Sequence, residues 1–195
     1  MSKIKNLYII AGCNGAGKTT ASYNILPQIL DCNEFVNADE IAQGLSPFQP
    51  EKVALQAGKI MLNRIDELIR QGTDFAFETT LSTKTYQQTV LKAQEKGYFV
   101  SLLFFWLNNV QLAKQRVAFR VQEGGHHIPD EVIERRYQRG LKNLFELYMP
   151  ICDNVMLFDN SDENPIFVMK QIKGESMNVF KESTFQKIKQ NLKNG

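Results

Sequence analysis

Gly12-Cys13-Asn14-Gly15-Ala16-Gly17-Lys18-Thr19 decides how the rest of the chain is read. It satisfies the pattern G-x-x-x-x-G-K-[ST] at every fixed position, and each position has a physical reason. The glycines permit a tight turn whose successive backbone N–H groups point inward at phosphate oxygens. Lys18 carries a positive charge to the outer phosphates, and the Thr19 hydroxyl is a ligand for Mg²⁺. The apolar run Leu7 to Ala11 precedes the turn, as a strand buried on both faces does, and a helical segment from Gly17 to about Ile25 follows it. Strand, glycine-rich turn and helix together form a phosphate cradle, with the positive end of the helix aimed at the anion. Asn14, Ala16 and Thr20 join Gly12, Gly15, Gly17, Lys18 and Thr19 as expected nucleotide-binding residues.

Working outward, strands and helices alternate. Strand signals fall at Glu34–Asn37, Phe75–Phe77, Tyr98–Leu107 and Asn154–Phe158. Helical periodicity covers Glu51–Gln71, Ser82–Lys96, Val110–Gln122 and Pro129 to about Tyr148, with Gly72 and Gly97 as stops. The expected fold is therefore α/β, a three-layer P-loop NTPase fold with a parallel sheet covered by helices on both faces. Beyond Asn160 a small hairpin (Ile166–Lys173 with Met177–Phe180) and a terminal helix (Phe185–Leu192) are expected. They form a C-terminal extension, 161–195, to a core of 1–160 within one domain.

The 195 residues are 43% hydrophobic and 23% charged, an ordinary globular balance. A net charge of +2 is too small to imply nucleic acid or an anionic membrane as the main partner. No stretch approaches the ~18 apolar residues of a membrane span, and Leu7–Ile10 is too short for a signal peptide. Cys13, Cys32 and Cys152 lack metal-ligand spacing and fit a reducing cytoplasm.

Ligands of such sheets bind at the carboxyl ends of the strands. Strand Tyr98–Leu107 ends in Asn108-Asn109 with no acid, unlike a motor or transporter ATPase. Instead Asp39 follows the second strand and Glu78 the third, the layout of a kinase in which an acid near the acceptor hydroxyl takes its proton. Asp39 has a competing reading as the N-cap before Glu40-Ile41-Ala42. Glu78, at the end of a buried strand, needs a partner: ligand, metal or arginine. Arg116 and Arg120 share a helical face. Gly124-Gly125-His126-His127-Ile128-Pro129 then leads to Arg135, Arg136 and Arg139, a glycine hinge between two arginine-bearing helices. Arg120 and Arg136 are the arginines expected to stabilise a transferring phosphoryl group. The histidines read as loop anchors rather than metal ligands.

Taken together, Gly12–Thr19, Val36–Ala42, Phe77–Ser82, Arg116–Val121, Gly124–Pro129 and Arg135–Tyr137 resemble the zeta-toxin family of P-loop kinases, in its bacterial branch with a Gly-Gly-His-x-Ile-Pro segment. The resemblance covers about the first 145 residues. It implies an ATP- or GTP-dependent kinase working with Mg²⁺ on a small-molecule hydroxyl, as in relatives that phosphorylate the sugar 3′-hydroxyl of a UDP-N-acetyl amino sugar. It implies Lys18 as the phosphate-binding lysine, Asp39 as general base, and Glu78, with Thr79, Thr80 and Arg116, around the substrate. An antitoxin protein is an implied partner. A nucleotide-dependent ATPase or interaction module held inactive by such a partner stands as the alternative, and a nucleic-acid-directed ATPase has poorer support.

Overall fold

Lys5–Ala11 forms β1 because both of its faces are covered: Leu7, Ile9 and Ala11 look one way, Ile10 the other, and all four are buried. The computed structural model describes residues 4–125 and 127–193. His126, in the expected hinge, lies outside them.

After β1 come α1 (Lys18–Ile29), β2 (Phe35–Val36), α2 (Ala38–Leu45) and a short 3₁₀ turn, Pro50–Val53, that runs into α3 (Ala54–Gln71). There follow β3 (Phe75–Thr79), α4 (Tyr86–Glu95), β4 (Tyr98–Trp106), α5 (Val110–Gln122) and α6 (Asp130–Asn143), the last continued by a π-helical turn, Leu144–Tyr148. The chain closes with β5 (Asn154–Asp159), β6 (Ile166–Ile172), β7 (Asn178–Val179) and α7 (Glu182–Lys193). Helix α3 stops where the sequence places the stop, with Gly72 in the left-handed conformation at φ 72°.

The seven strands make one sheet in the order β2-β3-β1-β4-β5-β6-β7. The first five are mutually parallel, and β6 and β7 are antiparallel. Two cores flank this sheet. Phe75, Phe77, Leu102 and Phe104 pack with Met61 and Ile65 of α3, Val90 of α4 and Leu144 after α6. On the other face Ile10, Ala76, Leu103 and Phe105 meet Leu26 of α1 and Ala113 and Val117 of α5. The three-layer arrangement is thus as expected, with a mostly parallel sheet. Helix α6 supplies Ile133 to one core and Leu141 to the other, so it crosses the carboxyl edge of the sheet. Gly140 permits that crossing: a Cβ there would come within 2.5 Å of the Thr80 carbonyl oxygen.

The segment after Asn160 is more than a hairpin. Strand β6 pairs with β5 and extends the main sheet, and Val168, Met169, Phe185 and Ile188 are buried in the same core as Phe77. Truncating Phe185, 2% exposed, therefore tests whether α7 belongs to the cooperative unit. Phe185→Ala is expected to lower the unfolding free energy by ~3–5 kcal/mol in urea titrations, with a single transition retained.

Candidate active site

The sheet order places β1 between β3 and β4, with Ile10 opposite Glu78 and Ala11 opposite Thr79 and Phe104. The turn after β1 thus lies directly beside the acid of β3. Its geometry follows from its glycines. Gly12 (φ 146°) leaves no room for a Cβ, which would collide with the Phe105 carbonyl oxygen. Gly15 (φ 78°) meets the Ala113 carbonyl in the same way, at 2.7 Å. Gly17 (φ 79°) immediately precedes α1, so the amides of Lys18 and Thr19 are the free donors of its first turn.

Lys18 is 6% exposed, and its Nζ donates to the Cys13 carbonyl (2.9 Å) and pairs with Glu78 Oε1 (3.3 Å). The other carboxylate oxygen, Oε2, accepts from Thr19 Oγ1 (2.7 Å) and from Asn37 Nδ2 (3.1 Å). Glu78 therefore has the partners its burial demands, and they are the lysine and threonine of the cradle. The same Asn37 caps α2, its Oδ1 accepting from the amide of Asp39 at 2.9 Å. Asn37, not Asp39, is thus the helix cap. The Asp39 carboxylate is exposed in the first turn of α2 and lines the cavity.

That cavity encloses ≈ 690 Å³. Its floor is the cradle: Asn14, Gly15, Gly17, Lys18, Thr19 and Thr20. Asn37, Asp39, Glu40 and Glu78 stand on one side, with Phe48 and Glu51 beyond them. Arg116, Arg120, Gly124, Gly125 and His127 stand on the other. Gly12 and Ala16 lie beneath the floor and shape it rather than face the cavity. The Cys13 thiol beside them is pushed up to about 11 by burial, so it is not a nucleophile at neutral pH.

The arginines separate into distinct roles. Arg116 is moored: Nη1 donates to the Asn160 carbonyl (2.8 Å) and Nη2 to that of Ser161 (2.9 Å). Arg120 is not, because its buried Nε and Nη2 have no hydrogen-bond partner among the described residues. Gly125 packs against its stem, where a Cβ would come to 2.9 Å from Cγ. Arg136, on α6, donates from Nη1 to Asn14 Oδ1 (3.0 Å); burial lowers its pKa, and the nearby Asp39 carboxylate works against that shift. Arg135 and Arg139 are exposed and away from the cavity. Thr79 and Thr80 also stay off its lining: Thr79 Oγ1 accepts from the Leu81 amide (3.0 Å), and Thr80 shares a hydrogen bond with Ser82 (2.9 Å).

Asn160 is a site residue that the sequence reading missed. Its Nδ2 donates to the Ala16 carbonyl (2.7 Å) and touches Gly17, so it holds the cradle while its own carbonyl holds Arg116. Its place just past the end of β5 is the available signal, since the carboxyl edge is where ligands bind. Asn160→Ala removes a partner from a buried carbonyl, at a cost of ~1–3 kcal/mol. The expected result is nucleotide binding weakened by roughly tenfold in a calorimetric titration.

Comparison with known proteins identifies the family and the fold. The zeta toxin family model matches residues 2–171, past the point where the sequence motifs end. An uncharacterised protein of Haemophilus influenzae (strain Rd) is 32% identical over 128 residues, covering 65% of this chain and 88% of that one. The AvrRxo1-ORF1:AvrRxo1-ORF2 complex with sulphate ions superposes at a TM-score of 0.75 and 19% identity. That match covers 94% of this chain but only 63% of the solved one. A structure from the PezAT chromosomal toxin–antitoxin system of Streptococcus pneumoniae follows at a TM-score of 0.67 and 17% identity, with 99% and 88% of the two chains covered. The chain belongs to the zeta toxin family, and its fold is that of the P-loop kinases.

Proposed function

We propose that the protein is an ATP-dependent kinase that transfers the γ-phosphoryl group to a hydroxyl of a small molecule. One observation carries the reading. Across a single cavity, the carboxylate of Asp39, free of the capping role, lines one side of the phosphate cradle, and Arg120, whose Nε and Nη2 have no hydrogen-bond partner among the described residues, lines the other.

The inward amides of the cradle and Lys18 hold the phosphates, and Lys18 exchanges part of its pairing with Glu78 for the incoming anion. The adjoining oxygens of Thr19 and Glu78, 2.7 Å apart, suit a hard cation such as Mg²⁺, which takes oxygen ligands and keeps several waters. Bound there, Mg²⁺ would neutralise charge on the phosphates. Asp39 takes the proton of the acceptor hydroxyl as the oxygen attacks in line. Arg120 supplies donors to the charge that builds on the phosphoryl group, and Arg136 fixes Asn14 at the cradle's lip. ATP as the donor is supported by a further AvrRxo1-ORF1:-ORF2 complex, solved with ATP.

An antitoxin-type partner belongs to this reading, because the Streptococcus pneumoniae relative comes from a toxin–antitoxin system. The buried free cysteines are compatible with a reducing cytoplasm, and among the described residues no helix is long and apolar enough to cross a membrane.

The test uses γ-labelled ATP, Mg²⁺ and a panel of sugars, UDP-N-acetyl amino sugars and nucleosides. Label is expected on one acceptor, with turnover reduced by ~10²–10⁴ in Asp39→Asn and by ~10³ or more in Arg120→Ala. Nucleotide affinity should stay within a few-fold in both variants. Label released only as free phosphate, whatever the acceptor, overturns the kinase in favour of an ATPase or a regulated binding module.

A further inference from the structure

Charge is divided unevenly around the cavity. The cations that line it, Lys18, Arg116 and Arg120, belong to the cradle and to α5, the half assigned to the triphosphate. The opposite half is built from α2 and the Pro50–Val53 turn, which pack against each other. It presents Asp39, Glu40 and Glu51, and no lysine or arginine lines it among the described residues. None of these three carboxylates forms an ion pair among the described residues. Glu40 only accepts a hydrogen bond from the Tyr23 hydroxyl. Lys52, next to Glu51, is exposed and off the lining. Arg136 faces Asp39 from α6, but its Nη1 is engaged by Asn14.

On the same wall Phe48 is 97% exposed and is flanked by Pro47 and Pro50. Proline fixes φ, so the segment holds an aromatic ring at the rim with little backbone freedom. A bare ring beside unpaired carboxylates has a definite chemical complement. Carboxylates only accept hydrogen bonds, so the ligand must supply the donors, which hydroxyls and ammonium groups do. The ring offers its face to an apolar or cationic group. A phosphate or carboxylate placed beside Glu40 and Glu51 meets like charge with no lysine or arginine on that wall among the described residues, and such repulsion is an effective means of discrimination.

We propose that the acceptor is a polyhydroxyl compound free of phosphate and carboxylate groups, either uncharged or bearing an amine, seated against Phe48, Glu40 and Glu51. This rests on the kinase reading and narrows it: a nucleotide sugar, which carries a diphosphate, is disfavoured relative to a free sugar or amino sugar.

The proposal is tested by calorimetric titration of the protein, loaded with Mg²⁺ and a non-hydrolysable ATP analogue. The probes are glucosamine, N-acetylglucosamine, the 6-phosphate of each, and UDP-N-acetylglucosamine. The unphosphorylated sugars are expected to bind roughly tenfold tighter than their phosphates, and the Glu40→Gln/Glu51→Gln double variant should bring the pairs to within about threefold. Phosphorylated or nucleotide sugars binding as well or better overturn the proposal, as does binding of none of the probes. Transfer from ATP is assayed in parallel. Sugars that bind with the stated preference but never receive phosphate would sink the kinase reading and leave the charge preference standing.

Discussion

The carboxylate of Glu78 holds the site together. It sits at the end of β3, 9% exposed, with Lys18 on one oxygen and Thr19 and Asn37 on the other. A buried anion without partners would cost several kcal/mol, so its neighbours are bound to converge on it. Through Lys18 and Thr19 it fixes the start of α1 against β3, and through Asn37 it fixes the start of α2. The two halves of the cavity, the glycine-rich turn with α1 and the wall begun by α2, are thus referenced to one side chain. The sheet makes this possible by placing β3, rather than a more distant strand, beside β1.

Much of the cradle was legible in the sequence because its chemistry is local. Gly12 and Gly15 must take positive φ, Gly17 must precede α1, and Lys18 and Thr19 must follow at once. None of these demands involves a choice among distant partners. Asp39 was legible as the acid after a strand, but its competing reading as a cap was settled only by Asn37, whose side chain takes that role. Glu78 was legible as a buried carboxylate in need of company, though not which company. Asn160 offered only its place past a strand end as a signal, because its bond to the Ala16 carbonyl spans most of the chain. Arg116 and Arg120 illustrate the same limit. They share a helical face and a residue type, yet one is tied to carbonyls past β5 and the other has nitrogens without a partner among the described residues, a difference set by nonlocal packing.

The extension shows how a boundary read from composition differs from one read from packing. Past Asn160 the sequence changes character, which suggests an appendage. In the folded chain β6 joins β5, and Phe185 and Ile188 complete the core beneath α6. Helix α6 carries Arg136 to the cradle, so side chains after Asn160 help support a residue at the far edge of the site. Asn191 strengthens this link, donating to the Tyr137 hydroxyl (3.2 Å), which itself donates to the Leu107 carbonyl (2.7 Å).

The two ends of the sheet are the two-residue strands β2 and β7. An edge strand displays unpaired N–H and C=O groups that invite another chain to pair with them, and shortness is a common defence. Here each border offers barely one repeat of the ladder. Strand addition is therefore a poor way to attach to this molecule, either for a second copy in aggregation or for a regulatory protein.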